Sequence, residues 1–273
     1  MRSILVHVFE DPCMEARLQS ALDLARRFDA HLTFVHAIPF DLSIPGDFQG
    51  AMALEMTAEF KRQEVQVKEK YEARLSKEDV RWDWHTRDGS AKSAMMHLAP
   101  LADAIIVGAH SLFGAYRRPS NLANDLVGNV RPPVLVIPED SKGLAHDHPV
   151  TIAWNGSAEA SHAVQAAMPL LRDASDVHVL CVEEDRLDPD LLPAKAIAVY
   201  LSRHDIECEI VNIELGTPAD GMIAKKLFDA SGQRLAPLMV AGAYGHSRFR
   251  EWVLGGVTRD LLDDPPIAVM LSH

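Results

Sequence analysis

Two hydrophobic rhythms alternate along this chain. An apolar run, Ile4-Leu5-Val6-His7-Val8-Phe9, precedes a stretch in which Ala21, Leu22, Ala25 and Phe28 recur at helical spacing, and Leu32-Thr33-Phe34-Val35-His36 follows as a second strand-like run. A charged segment of helical period from about 51 to 76 comes next, with Glu64 and Lys68 spaced for an i,i+4 pair. Val80-Arg81-Trp82-Asp83-Trp84, a short helix, Ala104-Ile105-Ile106-Val107, a helix over 121–130 and Val134-Leu135-Val136-Ile137 then complete five strands interleaved with four helices. The alternation predicts an α/β fold with an open, mostly parallel sheet covered on both faces, because parallel strands need crossovers and crossovers deposit helices on the sheet.

The same order then begins again. After the polar stretch Pro138-Glu139-Asp140-Ser141-Lys142-Gly143, which reads as a linker, Val150-Thr151-Ile152-Ala153-Trp154 answers the first strand. Ser157 is placed to N-cap a helix carrying Ala163, Val164, Ala167, Met168 and Leu171, which Pro169 should kink near its end. The strand Val177–Val182, a helix from about 189 to 203 and the strand Ile206–Val211 follow. Thr217-Pro218-Ala219-Asp220 has the residue types that open a third helix, and Leu238–Ala241 and Ile267–Leu271 finish the set. Val107-Gly108-Ala109-His110-Ser111 also echoes Ala241-Gly242-Ala243-Tyr244-Gly245-His246-Ser247. The prediction is a tandem duplication of one α/β unit, with domains at 1–140 and 149–273.

Composition narrows the classes of function. With 48% apolar and 24% charged residues among 273, the chain can bury a core, which excludes a disordered protein. Its 27 Lys+Arg against 39 Asp+Glu give a formal charge of -12, so no overall positive field draws it to nucleic acid or to an anionic membrane. His7, Glu10 and Asp11 interrupt the apolar start where a signal peptide would need a long apolar stretch, and no apolar run reaches membrane-spanning length, so a cytoplasmic location is expected. Cys13, Cys181 and Cys208 are odd in number and form no C-x-x-C pair; free thiols are expected rather than a disulfide framework or a thiolate zinc site.

One motif carries chemistry. Gly242, Gly245 and Gly255 stand in a G-x2-G-x9-G pattern directly after the fourth strand of the second half, continued by Gly256-Val257-Thr258. In open α/β sheets ligands sit beyond the carboxyl ends of the strands, near the switch in strand order. Glycines let backbone approach a phosphate, and a helix starting near Gly255 would aim free N–H groups and its positive end at an anion. A glycine pair alone fits an ordinary turn as well; the full spacing favours the anion site.

The glycine run, its position and the strand order resemble the universal stress protein family, in its tandem, nucleotide-binding branch, over nearly the whole chain. The resemblance implies two Rossmann-like domains, similar to adenine nucleotide alpha hydrolases, each of about five strands and four helices. It implies ATP, or AMP or ADP, as the ligand, with Mg2+ as a candidate companion, and a nucleotide-dependent role in stress response. By position it assigns adenine to Ala153, Trp154, Asn155 and Val182, and the phosphates to Gly242, Gly245, His246, Gly255, Gly256, Val257 and Thr258. It also implies that the last strands, 134–137 and 267–271, pair antiparallel within the chain, with a homodimer as a further candidate assembly. Asn155 stands where the family usually has Asp, and Gly256 where it often has Ser. In the first half Phe9 takes the place of the expected acid, the second glycine is missing and Asn121 takes the place of the third, so no ATP is expected there.

Other chemistries fit less well. No G-x-x-x-x-G-K-[ST] occurs and no G-x-G-x-x-G follows either first strand, which disfavours a P-loop ATPase and a dinucleotide oxidoreductase. Phe249 spoils the one near-match to a G-x-S-x-G elbow. His7, His36 and His110 lack the carboxylates or spacing of a metal site, and Trp82 and Trp84 share one face of a strand and are expected to pack as core. No catalytic residue is assigned; a slow ATPase, with His246 as its only attractive water-activating group, and a carrier or interaction module without nucleotide remain the alternatives.

Overall fold

The computed structural model describes residues 1–38, 51–113, 116–145, 147–183, 191–214, 222–243 and 254–273. In chain order the elements are β1 (Ser3–Val8), α1 (Met14–Phe28), β2 (His31–Ile38), α2 (Ala51–Leu75), β3 (Arg81–Asp88), α3 (Ala91–Leu98), β4 (Ala104–Gly108), β5 (His110–Phe113), β6 (Tyr116–Pro119), α4 (Asn121–Val127) and β7 (Val134–Ile137). They continue with β8 (Val150–Trp154), α5 (Ala158–Arg172), β9 (Val177–Glu183), α6 (Ala194–Ser202), β10 (Glu209–Glu214), α7 (Met222–Gln233), β11 (Leu238–Gly242), α8 (Leu254–Asp263) and β12 (Ala268–Ser272). The fold is α/β with a mostly parallel sheet and interleaved helices.

Ten strands form one sheet in the order β10-β9-β8-β11-β12-β7-β4-β1-β2-β3. Read outward from the middle, the two halves mirror each other, and each reverses direction between its first and fourth strands. Pairing is parallel throughout except at the centre, where β12 meets β7 antiparallel, with Val269 opposite Val136 and Leu271 opposite Val134. Each strand's pleat divides its side chains between two cores. Ile4, Val6, Phe34, Leu135, Ile152, Val240 and Met270 face α1, α2, α5 and α6, while Leu5, Val35, Ile105, Val136, Leu180, Met239 and Val269 face α3, α4, α7 and α8. Burial on both faces explains why the strands read as near-continuous apolar runs rather than alternating ones.

Several boundaries differ from the sequence expectation. The second half's third strand begins at Glu209 and not at Ile206, because Asp205 turns the chain at φ +62° and Ile206 drops into the core, its N–H donating to Leu201 O. The preceding helix begins at Ala194 rather than near 189. The start expected for the third helix, 217–220, lies outside the described residues apart from the helix itself, which runs from Met222. Pro169 sits inside α5, which continues to Arg172. Glu64 is taken by Thr86, whose hydroxyl donates to its Oε1 at 2.9 Å, and Lys68 pairs with Glu72 instead. Between β4 and α4 the chain forms the antiparallel hairpin β5–β6, a feature that the apolar runs do not mark. Trp82 and Trp84 do pack against the core, Trp84 stacking on Phe34 and Tyr71.

Candidate functional site

In each half the strand order turns between the first and fourth strands, and their carboxyl ends are where an open α/β sheet leaves room for a ligand. In the second half Ala153 and Trp154 end β8, and Val182 lies near the end of β9. Ala153 and Val182 are half-buried, whereas Trp154 is buried and its Nε1 donates to Leu192 O at 3.3 Å. Asn155 makes an Asx turn, its Oδ1 accepting from Ser157 N at 3.1 Å, and Ser157 in turn caps α5 by accepting from Ala160 N at 3.2 Å. Gly156 adopts φ +80°, and a Cβ there would run into the backbone of Leu192, so only glycine suits this turn.

On the other side of the switch point Gly242 ends β11 against the first turn of α5, where a Cβ would lie 2.6 Å from Glu159 C and collide with Ala160 N. Gly245 and His246 lie outside the described residues. Gly255 falls in the first turn of α8, and around Gly256 an added Cβ would meet nothing within 4 Å among the described residues. Val257 is half-buried and Thr258 is buried, 4% exposed. The structure thus brings Ala153, Asn155 and Gly242 to one end of the β8–β11 switch point, with α8 beginning a short distance along the chain beyond it. Among the described residues, no group of three or more His, Cys, Asp or Glu could hold a metal ion.

The first half is built differently at the equivalent place. By strand register Val8 is level with Gly108 as Trp154 is with Gly242, which makes Phe9 the positional equivalent of Asn155. Two additional residues before the helix make Asp11 the counterpart on the helix side: its Oδ1 accepts from Cys13 N at 2.8 Å, as Asn155 accepts from Ser157. Sequence comparison of strand ends could not find Asp11, because the insertion shifts it by two. Asp11 is tied to Arg17, whose Nη1 and Nη2 each lie 3.1 Å from its Oδ2, with side chains 0% and 4% exposed. Nη2 also donates to Phe9 O at 2.9 Å, while Nε finds no partner among the described residues. Burial pushes the Asp11 carboxyl above its ordinary range and outweighs the opposing pull of Arg17.

Around this ion pair, His7 is held well below its ordinary pKa by burial, then by Arg17 and His36, and burial likewise lowers His36. Cys13 is buried with its Sγ 3.8 Å from His110 Nδ1, and His110 Nε2 reaches Asp264 Oδ1 at 3.0 Å, a link from β5 to the segment after α8. Burial raises the Cys13 thiol. Outside the ion pair a cavity of about 390 Å3 opens between the start of α1 and the end of α2, lined by Glu10, Asp11, Met14, Lys70, Tyr71 and Arg74 among others.

A mirrored, doubly wound sheet with a switch in strand order in each half defines the class: an open-sheet α/β protein. The family model described as the universal stress protein family matches residues 1–138, and the chain belongs to that family. Over the whole fold it is similar to the crystal structure of a universal stress protein from Archaeoglobus fulgidus DSM 4304, at 14% identity and a TM-score of 0.73, covering 99% of this chain and 95% of that one. It is also similar to a functionally unknown protein from Pseudomonas aeruginosa PAO1, at 15% identity and a TM-score of 0.61, covering 100% of this chain and 92% of that one. No curated protein matches the sequence. No helix among the described residues is long and apolar enough to cross a membrane.

Proposed function

We propose that this chain is a tandem universal stress protein of the cytoplasm that binds ATP, or AMP or ADP, in its second half and serves as a nucleotide-dependent stress-response module. In this reading the halves, 1–140 and 149–273, are duplicates of one unit, and only the second keeps an exchangeable site. The observation that carries it is that, among the described residues, nothing lies within 4 Å of a Cβ added at Gly256, in the first turn of α8 and beyond β11 in the chain. A helix N-terminus left uncovered by the described side chains can present its N–H groups to a phosphate.

Adenine sits in this reading by Ala153, Asn155 and Val182, with Trp154 as the wall beneath, and the phosphates lie along Gly242, Gly245, His246, Gly255, Gly256 and Val257. Thr258, which is buried in α8, closes this phosphate set. Asn155 already accepts from Ser157 N, so it contributes its amide donors rather than a carboxylate charge. The nucleotide supplies its own triphosphate charge and any Mg2+ it carries; the chain supplies backbone donors and shape. His246 lies outside the described residues, and no described side chain is assigned to activate water.

The test is calorimetric titration of ATP into the native chain and into Gly256→Asp. The aspartate side chain projects into open space, so the fold and its thermal midpoint stay close to native, while a carboxylate among the phosphates weakens binding at least about tenfold, equivalent to about 1.4 kcal/mol. Unchanged affinity in Gly256→Asp, or no heat with either protein, removes the proposal.

A further inference from the structure

We propose that the guanidinium of Arg17 is the resident occupant of the first half's switch point, so that no exchangeable ligand enters between the ends of β1 and β4. Arg17 rises from the second turn of α1 and lies fully buried across the end of β4: a Cβ on Gly108 would collide with its Nη1. Its Nη2 donates to Phe9 O, just past the end of β1, and both terminal nitrogens hold Asp11. The group therefore bridges the first and fourth strands of this half, where an open α/β sheet otherwise leaves room for a ligand. In the second half the residue four past the helix cap is Ser161, whose hydroxyl turns back to Ser157 O at 3.0 Å and reaches no strand. There Gly242 meets α5 backbone rather than a long side chain.

The chemistry of the plug is specific. A planar cation with several donors is matched to one carboxylate and one carbonyl, a pairing that an ammonium group cannot reproduce in the same plane. Arg17→Ala would leave behind a hollow carrying Asp11 and the Phe9 carbonyl beside the cavity at the start of α1, and free guanidinium ion has the shape and charge to enter it. The limit of one nucleotide per chain rests on the function proposed above; the occupancy of the switch point by Arg17 does not.

The experiment is a thermal melt of Arg17→Ala and of the native chain in millimolar guanidinium chloride, with equal sodium chloride and equal urea as controls. The expected result is a saturable rise of the variant's midpoint with guanidinium alone, absent from the native chain; a variant that responds as the native chain does overturns the proposal. Should Arg17→Ala fail to fold, side-chain NMR of the native chain decides. One guanidinium exchanging its protons at least about 100-fold slower than solvent-exposed arginines, and missing in Arg17→Lys, is expected; no such signal overturns the proposal. Titration of ATP into the native chain should saturate at one per chain, and two per chain also overturns it. No ATP bound removes the function proposed above and leaves the guanidinium test standing.

Discussion

At Gly242 a single methyl group separates two roles that sequence spacing alone merges. Its Cβ would press on Glu159 and Ala160 backbone, which has no soft rotamer to yield, so Gly242→Ala should lose about 1–3 kcal/mol in urea unfolding. Around Gly256 an added Cβ has nothing within 4 Å among the described residues and lies in α8, so Gly256→Ala should be neutral or gain up to about 1 kcal/mol from helix propensity. One glycine is thus needed by the fold, while the other is free to serve a ligand. The same contrast holds for titratable groups. His7, His36 and His148 all have pKa values lowered chiefly by burial, so each stays neutral in the fold below the pH at which the unfolded chain takes up a proton. Stability from these groups is complete above about pH 6.5 and is lost as pH falls below it, by up to about 1.4 kcal/mol per pH unit for each histidine still neutral in the fold. Urea titrations at pH 7.5, 6.5 and 5.5 measure the slope, which should flatten in His7→Gln; an unaltered slope would count against His7. Cys181 is raised to about 11 by burial, and Cys13 and Cys208 are raised too. Native protein should therefore react with a thiol reagent at pH 8 far more slowly than urea-unfolded protein, which releases all three.

At the scale of elements, the ties between α1 and α5 show how the halves are fastened. Arg27, with its side chain fully buried, donates from α1 to Leu170 O at 3.1 Å and pairs with Asp173 at 3.0 Å, so a residue of one half satisfies the last turn of a helix in the other. Arg27→Met should cost about 1 kcal/mol by removing the donor to the part-buried Leu170 carbonyl, read as a lowered urea midpoint with an unchanged slope. The strand and helix periods were legible because burial on both faces makes each strand a short apolar run bounded by polar turns. What escaped was decided by contacts distant in sequence or by insertions: β5–β6 has polar residues at Ser111, Arg117 and Arg118 and no apolar alternation to mark it. The shift of β10 follows from one left-handed residue, Asp205. In the candidate site the strand-end residues and the start of α8 were legible from spacing. Asp11 and Arg17 were not, because a two-residue insertion hides the first and only the tertiary fold sets the second beneath Gly108.

For the whole molecule, the central β7–β12 pairing turns two five-stranded sheets into one and removes two edges that would otherwise invite association. Both cores contain residues from both halves, Arg27–Asp173 and His110–Asp264 add polar ties across the boundary, and the Asp23 carboxylate, accepting from Leu144 N at 2.9 Å, pins the connecting segment to α1. Neither half can open along the seam without exposing Leu135, Val136, Val269 and Met270, all fully buried. The halves should therefore unfold together. Native-state hydrogen exchange tests this: amides of β4, β7, β11 and β12 should share one opening free energy equal to that of global unfolding, with the same denaturant dependence. The edge strands β3 and β10, with exposed Arg81 and Glu209 at their starts, should exchange sooner through local fraying. If β4 and β11 instead opened with distinct free energies, the two halves would be separate cooperative units joined by a strand pair, and Arg27→Met would shift only one of the two classes.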